Sequence, residues 1–367
     1  MRWKKQLLNL SPYQPGKSID SVKKQYGLET IVKLASNENP FGCSARAIER
    51  IQNYGESLAL YPDGHAGDLR DTLSKMLGIA QDKLIFGNGS DELIRIISRA
   101  LLYPGANTVM AAPTFPQYRH NAILEGAEVR EVPLVDGYHD LKGMLGAVDE
   151  KTNVIWICSP NNPTGTYIPK KDLESFLEQV PEEILVVIDE AYYEYVTAAD
   201  FHDSILLADQ FPNVIALRTF SKIYGLASLR VGYGIANPSI IKVLEPAREP
   251  FNTNSFAQEA AKAALADQEF VGRCREANRK GLEMFYQFCE KHGLSYYPSQ
   301  GNFILIDFRM DANHVFQSLL ERGFIVRSGA LLGFPQSIRV TVGSESQVAA
   351  LLEEFESFLE KESRALV

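Results

Sequence analysis

Short apolar runs alternate with helical segments between about residue 36 and residue 245, and this alternation constrains the fold more than any other feature. Seven of the runs have the character of strands: DKLIFG, NTVMAA, AEVREVPL, NVIWICS, ILVVIDE, NVIALRTF and RVGYGIA. Several are continuously apolar and rich in β-branched residues, as strands buried on both faces must be. Helical stretches such as SDELIRIISRALL and KKDLESFLEQV lie between them. The pattern therefore predicts an α/β fold with a mostly parallel sheet flanked by helices.

The chain has 367 residues, which is more than one compact core usually holds, so two domains are expected. Residues 36–249 form the predicted large domain. After residue 250 a long helical segment precedes the strands GNFILIDF, FIVRSG and SIRVTVG and a terminal helix, which predicts a smaller α+β domain over residues 250–367. Residues 1–35 are predicted to form an N-terminal arm that packs on the smaller domain or on a neighbouring subunit.

The composition argues against several classes of partner. A net charge of −9 is unsuited to a surface that follows nucleic-acid phosphates. The six histidines form no paired-ligand pattern, so no metal site is expected. No signal-peptide core and no run of 18 apolar residues is found, so a membrane association is not expected. Four cysteines without CxxC spacing indicate reduced thiols in a cytoplasmic protein.

Polar residues follow several of the predicted strands at the point where each strand ends. Lys222 follows NVIALRTF, Asp189 ends ILVVID, and the loops SPNNPTG and GNGSDE follow NVIWIC and KLIF. Parallel sheets bind ligands beyond the carboxyl ends of their strands, so these groups are expected to converge on one ligand. Desolvation at such a place would lower the pKa of Lys222 and free its amine for covalent chemistry, a setting that a solvated lysine does not need.

The loop GNGSDE has two interpretations. Its glycines and the helix N-terminus suit a phosphate cradle. The simpler interpretation is a capped helix start with Ser90 or Asp91 as the N-cap residue. Glu92 stands where a nicotinamide-binding fingerprint has its third glycine, which argues against a nicotinamide dehydrogenase.

The other candidate residues also have ordinary structural interpretations. Asn162 lies in SPNNPTG, which is rich in turn formers. Asp189 could be a structural carboxylate, although a half-buried charge is costly unless it is paired. Tyr192 and Phe115 could be core aromatics. Arg230 precedes a buried strand, where an anion partner explains an arginine better than solvent does.

Together these residues meet the needs of one cofactor. A lysine for a Schiff base, a carboxylate for a pyridinium nitrogen, a phosphate cradle and a ring to stack are what pyridoxal 5′-phosphate (PLP) requires. In chain order, the motifs LASNENPFG, YPDG, GNGSDE, PTFPQY, SPNNPTG, DEAY and TFSKIYGLASLRVGY resemble those of the fold-type I, class I/II aminotransferases. The resemblance covers nearly the whole chain and is strongest to the branch that acts on histidinol phosphate.

The resemblance implies a role for each residue that matches a motif. Lys222 is the implied catalytic residue, which bonds the cofactor and moves the proton. The implied cofactor-binding residues are Ser90, Asp91, Phe115, Asn162, Asp189, Tyr192, Thr219, Ser221, Arg230 and, reaching across a homodimer, Tyr61. The implied substrate-binding residues are Arg339, which grips an anion, and Tyr13, Asn37 and Arg327, which assist it.

The resemblance also implies a reaction. Its substrates would be L-histidinol phosphate and 2-oxoglutarate, with imidazole acetol phosphate and glutamate as products, in a homodimer with shared active sites. Two alternatives use the same cofactor: an aromatic amino-acid aminotransferase, or a threonine-phosphate decarboxylase. A third is a PLP-sensing regulatory module without turnover, although the acidic chain leaves little room for a DNA-binding region.

Overall fold

The computed structural model describes residues 1–12, 16–55 and 58–365. The strands are β1 (Val32–Lys33), β2 (Leu84–Gly87), β3 (Asn107–Ala112), β4 (Glu128–Pro133), β5 (Thr152–Cys158), β6 (Leu185–Asp189), β7 (Val214–Thr219), β8 (Gly232–Ala236), β9 (Ser295–Tyr296), β10 (Phe303–Asp307), β11 (Phe324–Ile325), β12 (Arg327–Ser328) and β13 (Ser337–Thr341).

The α-helices are α1 (Ile19–Tyr26), α2 (Ala45–Gln52), α3 (Gly67–Leu77), α4 (Ser90–Leu101), α5 (Gln117–Glu125), α6 (Leu141–Gly146), α7 (Lys170–Leu177), α8 (Ser204–Gln210), α9 (Pro238–Leu244), α10 (Ser255–Leu265), α11 (Gln268–His292), α12 (Ala312–Glu321) and α13 (Glu345–Ala365). Short 3₁₀ helices span Lys5–Asn9, Gln81–Lys83, Tyr193–Tyr195, Ala227–Leu229, Glu245–Ala247 and Gly329–Leu332.

The seven predicted strands form one sheet in the order β2-β8-β7-β6-β5-β3-β4. All neighbouring strands are parallel except β8, which is antiparallel to both β2 and β7. The prediction of a mostly parallel sheet flanked by helices is therefore confirmed. In the register, Cys158 lies opposite Asp189, and Gly232 lies opposite both Thr219 and Gly87. The carboxyl ends of β2, β5, β6 and β7 consequently meet at one edge.

The central strands of this sheet are mostly apolar, and helices cover both of its faces. Trp156 and Val187 pack with residues of α4, α5 and α9 on one face. The adjacent residues Ile155 and Val186 pack with α6, α7 and α8 on the other. Successive side chains of a strand point to opposite faces, so continuous apolar runs are what a two-sided helical cover requires.

A smaller sheet has the order β12-β13-β10-β9 and is antiparallel throughout. The strand β1 pairs in parallel with β11, with Val32 opposite Phe324. The expectation of one strand across FIVRSG is therefore wrong. The chain divides at Val326, because Phe324 and Ile325 pair with β1 whereas the next two residues pair with β13.

The domain boundaries at residues 36 and 250 stay predictions. The pairing of β1 with β11 ties the N-terminal segment to the smaller part of the chain. Packing crosses the second boundary, because Ala257 of α10 and Val271 of α11 share one core with Leu69 and Leu73 of α3. Within the described ranges, no helix is long and apolar enough to cross a membrane, and no group of three or more His, Cys, Asp or Glu side chains could hold a metal ion.

Candidate active site

A cavity of about 440 Å³ lies at the carboxyl edge of the seven-stranded sheet and is closed on the other side by residues of the smaller sheet. The predicted site residues that line it are Asn37, Ser90, Asp91, Phe115, Asn162, Asp189, Tyr192, Thr219, Ser221, Lys222, Arg230, Arg327 and Arg339. Tyr61 lies elsewhere: it is 81% exposed and stacks on Phe251 with ring centroids 4.7 Å apart. Tyr13 lies outside the described residues.

Lys222 points into this cavity from the turn after β7. Its Nζ donates to the backbone oxygen of Ser36 at 3.3 Å and lies 5.7 Å from the ring centroid of Tyr192. Burial, with a contribution from the positive charge of Arg339, lowers the pKa of Lys222 to about 8. About a tenth of the side chain is therefore the neutral amine at pH 7, and this is the nucleophilic and basic form.

Asp189 ends β6 and is only 3% exposed. Its Oδ2 accepts the hydroxyl proton of Tyr118 at 2.7 Å, and its Oδ1 accepts the backbone N–H of Ala191 at 3.1 Å. Burial raises the pKa of Asp189 to about 6. A buried carboxylate held by neutral donors at a cavity wall is well placed to receive a cationic group from a ligand.

Asn37 links the two sheets at the cavity wall. It is buried and has a φ of 56°, a left-handed conformation that asparagine tolerates better than most residues. Its Nδ2 donates to the hydroxyl oxygen of Tyr192 at 2.9 Å, and its Oδ1 accepts from Thr341 Oγ1 at 3.0 Å. The side chain of Asn302 donates to the backbone oxygen of Asn37. These bonds fix the Tyr192 hydroxyl at the cavity.

The loop GNGSDE and Arg230 form a pocket suited to an anion. Helix α4 begins directly after Gly89, whose φ of 79° and close approach to Arg230 leave no room for a side chain: a Cβ there would lie 2.5 Å from Nη2. Arg230 itself has a φ of 55° and donates to Ser221 Oγ and Asp91 Oδ2, each at 3.3 Å. Free N–H groups of a helix N-terminus together with a guanidinium group favour a phosphate.

The alternative interpretation of GNGSDE, in which Ser90 or Asp91 caps the helix, is wrong. The N-cap residue is Gly89, and no side chain accepts a bond there. Glu92 folds back instead, so that its Oε2 accepts the N–H of Asn88 and the amide of Asn252, both at 2.6 Å. The glutamate braces the loop, and Ser90 and Asp91 at the start of the helix line the cavity.

Two arginines face the cavity from the smaller sheet. Arg327 and Arg339 are direct partners in the register of β12 and β13. Arg339 is 7% exposed, and its guanidinium group donates to Asn162 Oδ1 and to the backbone oxygen of Ala35, each at 2.6 Å. The adjacent positive charges make this wall of the cavity suitable for a substrate anion.

Several residues at the site were not predicted. Ser36 and Ala35 contribute backbone oxygens to Lys222 and Arg339, and Glu38, Gln117 and Cys158 line the cavity. Ser36, Ala35 and Glu38 belong to the motif LASNENPFG. This motif precedes β2 and does not follow a strand of the large sheet, so nothing in the sequence indicates that it lies near the sheet edge. The Thr219 hydroxyl oxygen accepts the N–H of Ser221 at 3.1 Å, so it also orders the turn that carries Lys222.

The residues present fit PLP. The buried carboxylate of Asp189 suits a protonated ring nitrogen, the pocket around Arg230 suits the phosphate, and the partly neutral amine of Lys222 suits the aldehyde. Phe115 lines the same cavity and offers an aromatic face. The fit rests on three groups of different charge in one cavity.

The fold and the site together define an aminotransferase. The family model described as aminotransferase class I and II matches residues 29–355, and the chain belongs to that family. A histidinol-phosphate aminotransferase of Geobacillus sp. (strain WCH70) is 62% identical to it over 347 residues, which are 95% of each chain.

Two further proteins are similar over nearly their full length. The histidinol-phosphate aminotransferase of Bacillus subtilis (strain 168) is 58% identical over 353 residues, covering 96% of this chain and 98% of the relative. The crystal structure of histidinol-phosphate aminotransferase from Sinorhizobium meliloti in complex with pyridoxal-5′-phosphate has a TM-score of 0.88 at 28% identity, and covers 97% of this chain and 98% of that one.

Proposed function

We propose that the chain uses PLP to transfer an amino group between L-histidinol phosphate and 2-oxoglutarate, giving imidazole acetol phosphate and glutamate in histidine biosynthesis. The observation that carries the proposal is the high identity to relatives that bear the name histidinol-phosphate aminotransferase, 56–62% over at least 94% of this chain. The charges that line the cavity are those that this pair of substrates needs.

The chain's own residues would hold PLP from four sides. Asp189 would pair with the ring nitrogen, Asn162 and Tyr192 would bind the ring oxygen, and Phe115 would stack on the ring. The groups that would hold the phosphate are Ser90 N–H, Asp91 N–H, Thr219 Oγ1, Ser221 Oγ and the Arg230 guanidinium. When bound, PLP supplies an electron-withdrawing ring that makes the Cα proton of an amino donor acidic.

Lys222 moves the proton. With a pKa of about 8, its Nζ is close to the value at which a base is both available and effective at neutral pH. In the half-reaction of the amino donor it takes the proton from Cα, and in the half-reaction of the amino acceptor it gives a proton to Cα of the amino acid that forms. The Ser36 oxygen at 3.3 Å holds Nζ in place within the cavity.

Arg339 and Arg327 bind the anion of each substrate in turn. Glutamate presents a carboxylate and histidinol phosphate presents a phosphate ester, and the planar guanidinium group suits both. The bonds from Arg339 to Asn162 and Ala35 orient the guanidinium group and connect it to the part of the site that faces the ring oxygen. Asn37 assists by holding Tyr192.

A comparison of four amino donors tests the proposed substrates. Histidinol phosphate, tyrosine, phenylalanine and threonine phosphate are each offered with 2-oxoglutarate to the purified PLP-bound protein. We expect the highest kcat/KM for histidinol phosphate. A higher value for tyrosine or phenylalanine would support an aromatic aminotransferase, and release of carbon dioxide from threonine phosphate would support a decarboxylase. No turnover with any donor would support a regulatory module.

We also propose a homodimer in which Tyr61 serves the partner's site. Its exposure and its distance from the chain's own cavity support this role. Mixed subunits of inactive Tyr61→Ala and Lys222→Ala proteins should regain activity, because one site of a hybrid dimer is then intact. Hybrids that form but stay inactive would contradict a shared site.

We also propose a cytoplasmic location. The four cysteines form no disulfide with one another, which supports this location.

A further inference from the structure

Tyr118 contacts Asp189 from behind the cavity wall. Its side chain is fully buried and is not among those that line the cavity. The hydroxyl group donates to Asp189 Oδ2 at 2.7 Å, while Asp189 Oδ1 accepts only the backbone N–H of Ala191. Tyr118 therefore supplies the one side-chain hydrogen bond to this carboxylate that the described residues show.

The ring of Tyr118 is held in place on two sides. It stacks on Trp156 with centroids 4.9 Å apart and planes 10° from parallel. Trp156 Nε1 in turn donates to Thr108 Oγ1 at 2.9 Å, and that hydroxyl donates to the backbone of β5. On the other side, Phe115 packs edge-on at 5.6 Å. The strands β3 and β5 thus fix the position of the hydroxyl group.

We propose that Tyr118 is a positioning residue that acts through Asp189, turning the carboxylate toward the cavity and keeping it ionised there. A residue needed only to fill space would not require the hydroxyl group, because phenylalanine has the same ring. The inference rests on the proposed function in one respect, namely that Asp189 pairs with the ring nitrogen of PLP. It adds a residue that does not itself touch the cofactor.

The surroundings of Asp189 explain why it needs such a donor. Burial raises its pKa to about 6, and the negative charges of Asp91 and Glu190 act in the same direction. The Tyr118 hydrogen bond acts in the opposite direction. Other titratable groups near the carboxylate are Cys158 at the end of β5 and Tyr192 after β6, and those that share the cavity include Glu38, Lys222, Arg230, Arg327 and Arg339. Without the hydroxyl group, the carboxylate is protonated at a higher pH.

The test is PLP binding to apo-protein as a function of pH. The dissociation constant is measured between pH 5 and pH 8.5 for the wild type and Tyr118→Phe. In the variant we expect about tenfold weaker binding at pH 5, a much smaller loss at pH 7.5, and an upward shift of about 1 pH unit in the midpoint at which binding is lost on acidification. Wild-type values in a folded Tyr118→Phe protein would overturn the proposal.

A matched control separates this effect from the loss of any tyrosine hydroxyl group. Tyr286 accepts the N–H of Ser299 at 2.8 Å in the smaller part of the chain. Tyr286→Phe should therefore leave the dissociation constant and the midpoint unchanged. A shift in the control equal to that in Tyr118→Phe would mean a general loss of stability, and would also overturn the proposal.

A double-mutant cycle tests whether Tyr118 acts through Asp189. In an Asp189→Asn background, Tyr118→Phe should produce no midpoint shift and little further loss of PLP affinity. A full tenfold loss there would mean that Tyr118 acts through packing, against the proposal. If Tyr118→Phe does not fold, Trp156→Phe keeps the hydroxyl group but loosens its ring. It should shift the midpoint in the same direction by less, and an unshifted midpoint would overturn the proposal.

These readouts distinguish the inference from the proposed function. A wild-type protein that binds PLP but does not use histidinol phosphate contradicts the proposed substrate, and the Tyr118 measurements remain decisive. A protein that transaminates histidinol phosphate while Tyr118→Phe behaves as the wild type contradicts only the inference.

Discussion

The two sheets contribute to the cavity in different ways. The seven-stranded sheet contributes residues at or just beyond the carboxyl ends of its strands, such as Asp189 and Lys222, and their pKa values are shifted by burial. The four-stranded sheet contributes Arg327 and Arg339 from within paired strands, and both are arginines. One wall therefore holds groups that can gain or lose a proton near neutral pH, and the other holds fixed positive charge.

The difference indicates a division of labour. A group that moves protons must have a pKa near the working pH, and burial at a strand end provides it. A group that holds an anion through two half-reactions must keep its charge, which the high pKa of a guanidinium group ensures. The comparison predicts that changes on the first wall affect chemistry and pH dependence, whereas changes on the second affect substrate binding.

The largest effect is expected for Lys222→Ala. The variant should lose measurable transamination because no other group at the site can both bond the cofactor and move the proton, yet it should still bind some PLP through the phosphate pocket. Borohydride treatment of the wild type should attach the cofactor to the Lys222 peptide. Lys262→Ala, which removes an amine that binds Asp68 at the surface, is the control. Near-normal activity in Lys222→Ala would make the assignment wrong.

Asp189→Asn should have the next largest effect. The change nearly preserves shape but removes the negative charge that we propose pairs with the ring nitrogen, and we expect a loss of at least about 100-fold in kcat, or about 3 kcal/mol. Thermal stability of the apo-protein should not fall, because a costly buried charge is lost. Asp149→Asn, which breaks a surface pair with Arg130, is a control. Retained activity with a lowered melting temperature would indicate a purely structural carboxylate.

Arg339→Lys should have a moderate effect confined to substrate binding. Loss of a charge-assisted contact costs ~1.5–3 kcal/mol, or roughly 10- to 150-fold in kcat/KM. Stopped-flow measurements of each half-reaction should show the loss for both glutamate and histidinol phosphate, with the bound cofactor's absorbance unchanged. Arg327→Lys should cost less, since the role that we propose for Arg327 is to assist Arg339. If Arg339→Lys has the kcat/KM of the wild type in both half-reactions, the substrate anion does not bind at Arg339.

The smallest effect is the pH dependence of apo-protein stability. The pKa of Asp189 is raised from its ordinary 3.8 to about 6, so its contribution to stability is complete below pH 3.8 and is lost as the pH rises through 6. The melting temperature of apo Asp189→Asn minus that of the apo wild type should therefore increase by roughly 2–4 °C between pH 4 and pH 7. A difference that is constant with pH would contradict the raised pKa.

The pKa of Lys222 is lowered from 10.5 to about 8, so its contribution is complete above pH 10.5 and is lost as the pH falls through 8. Between pH 6 and pH 8 both groups on the first wall therefore weaken the empty protein.

Most of the large sheet and its site residues could be predicted because two simple rules apply to them. Continuous apolar runs identify strands buried on both faces, and the ends of parallel strands share an edge, so Lys222, Asp189 and Asn162 were expected to converge. The family resemblance added Arg339 and Arg327, whose strand positions alone did not distinguish them from surface arginines. The role of Tyr61 stays a prediction.

Features that depend on packing between distant segments could not be predicted. The contact between Tyr118 and Asp189 requires the helix after β3 to dock against the end of β6, and no local pattern encodes it. The division of FIVRSG between two sheets depends on a two-residue strand almost 300 positions earlier. In the sequence, Glu92 is notable only as the residue that replaces the third glycine of a nicotinamide-binding fingerprint. Its bond to Asn88 shows that it braces the loop.

The pairing of β1 with β11 has a consequence for how the protein is made. The strands of the seven-stranded sheet end at Ala236, so that sheet can assemble before the strands of the smaller sheet emerge from the ribosome. Residues 32–33 cannot pair until residues 324–325 have also emerged from the ribosome. The segment that follows carries Ser36, which bonds Lys222. In a nascent chain the pocket around Lys222 therefore stays incomplete until residues 324–325 have emerged.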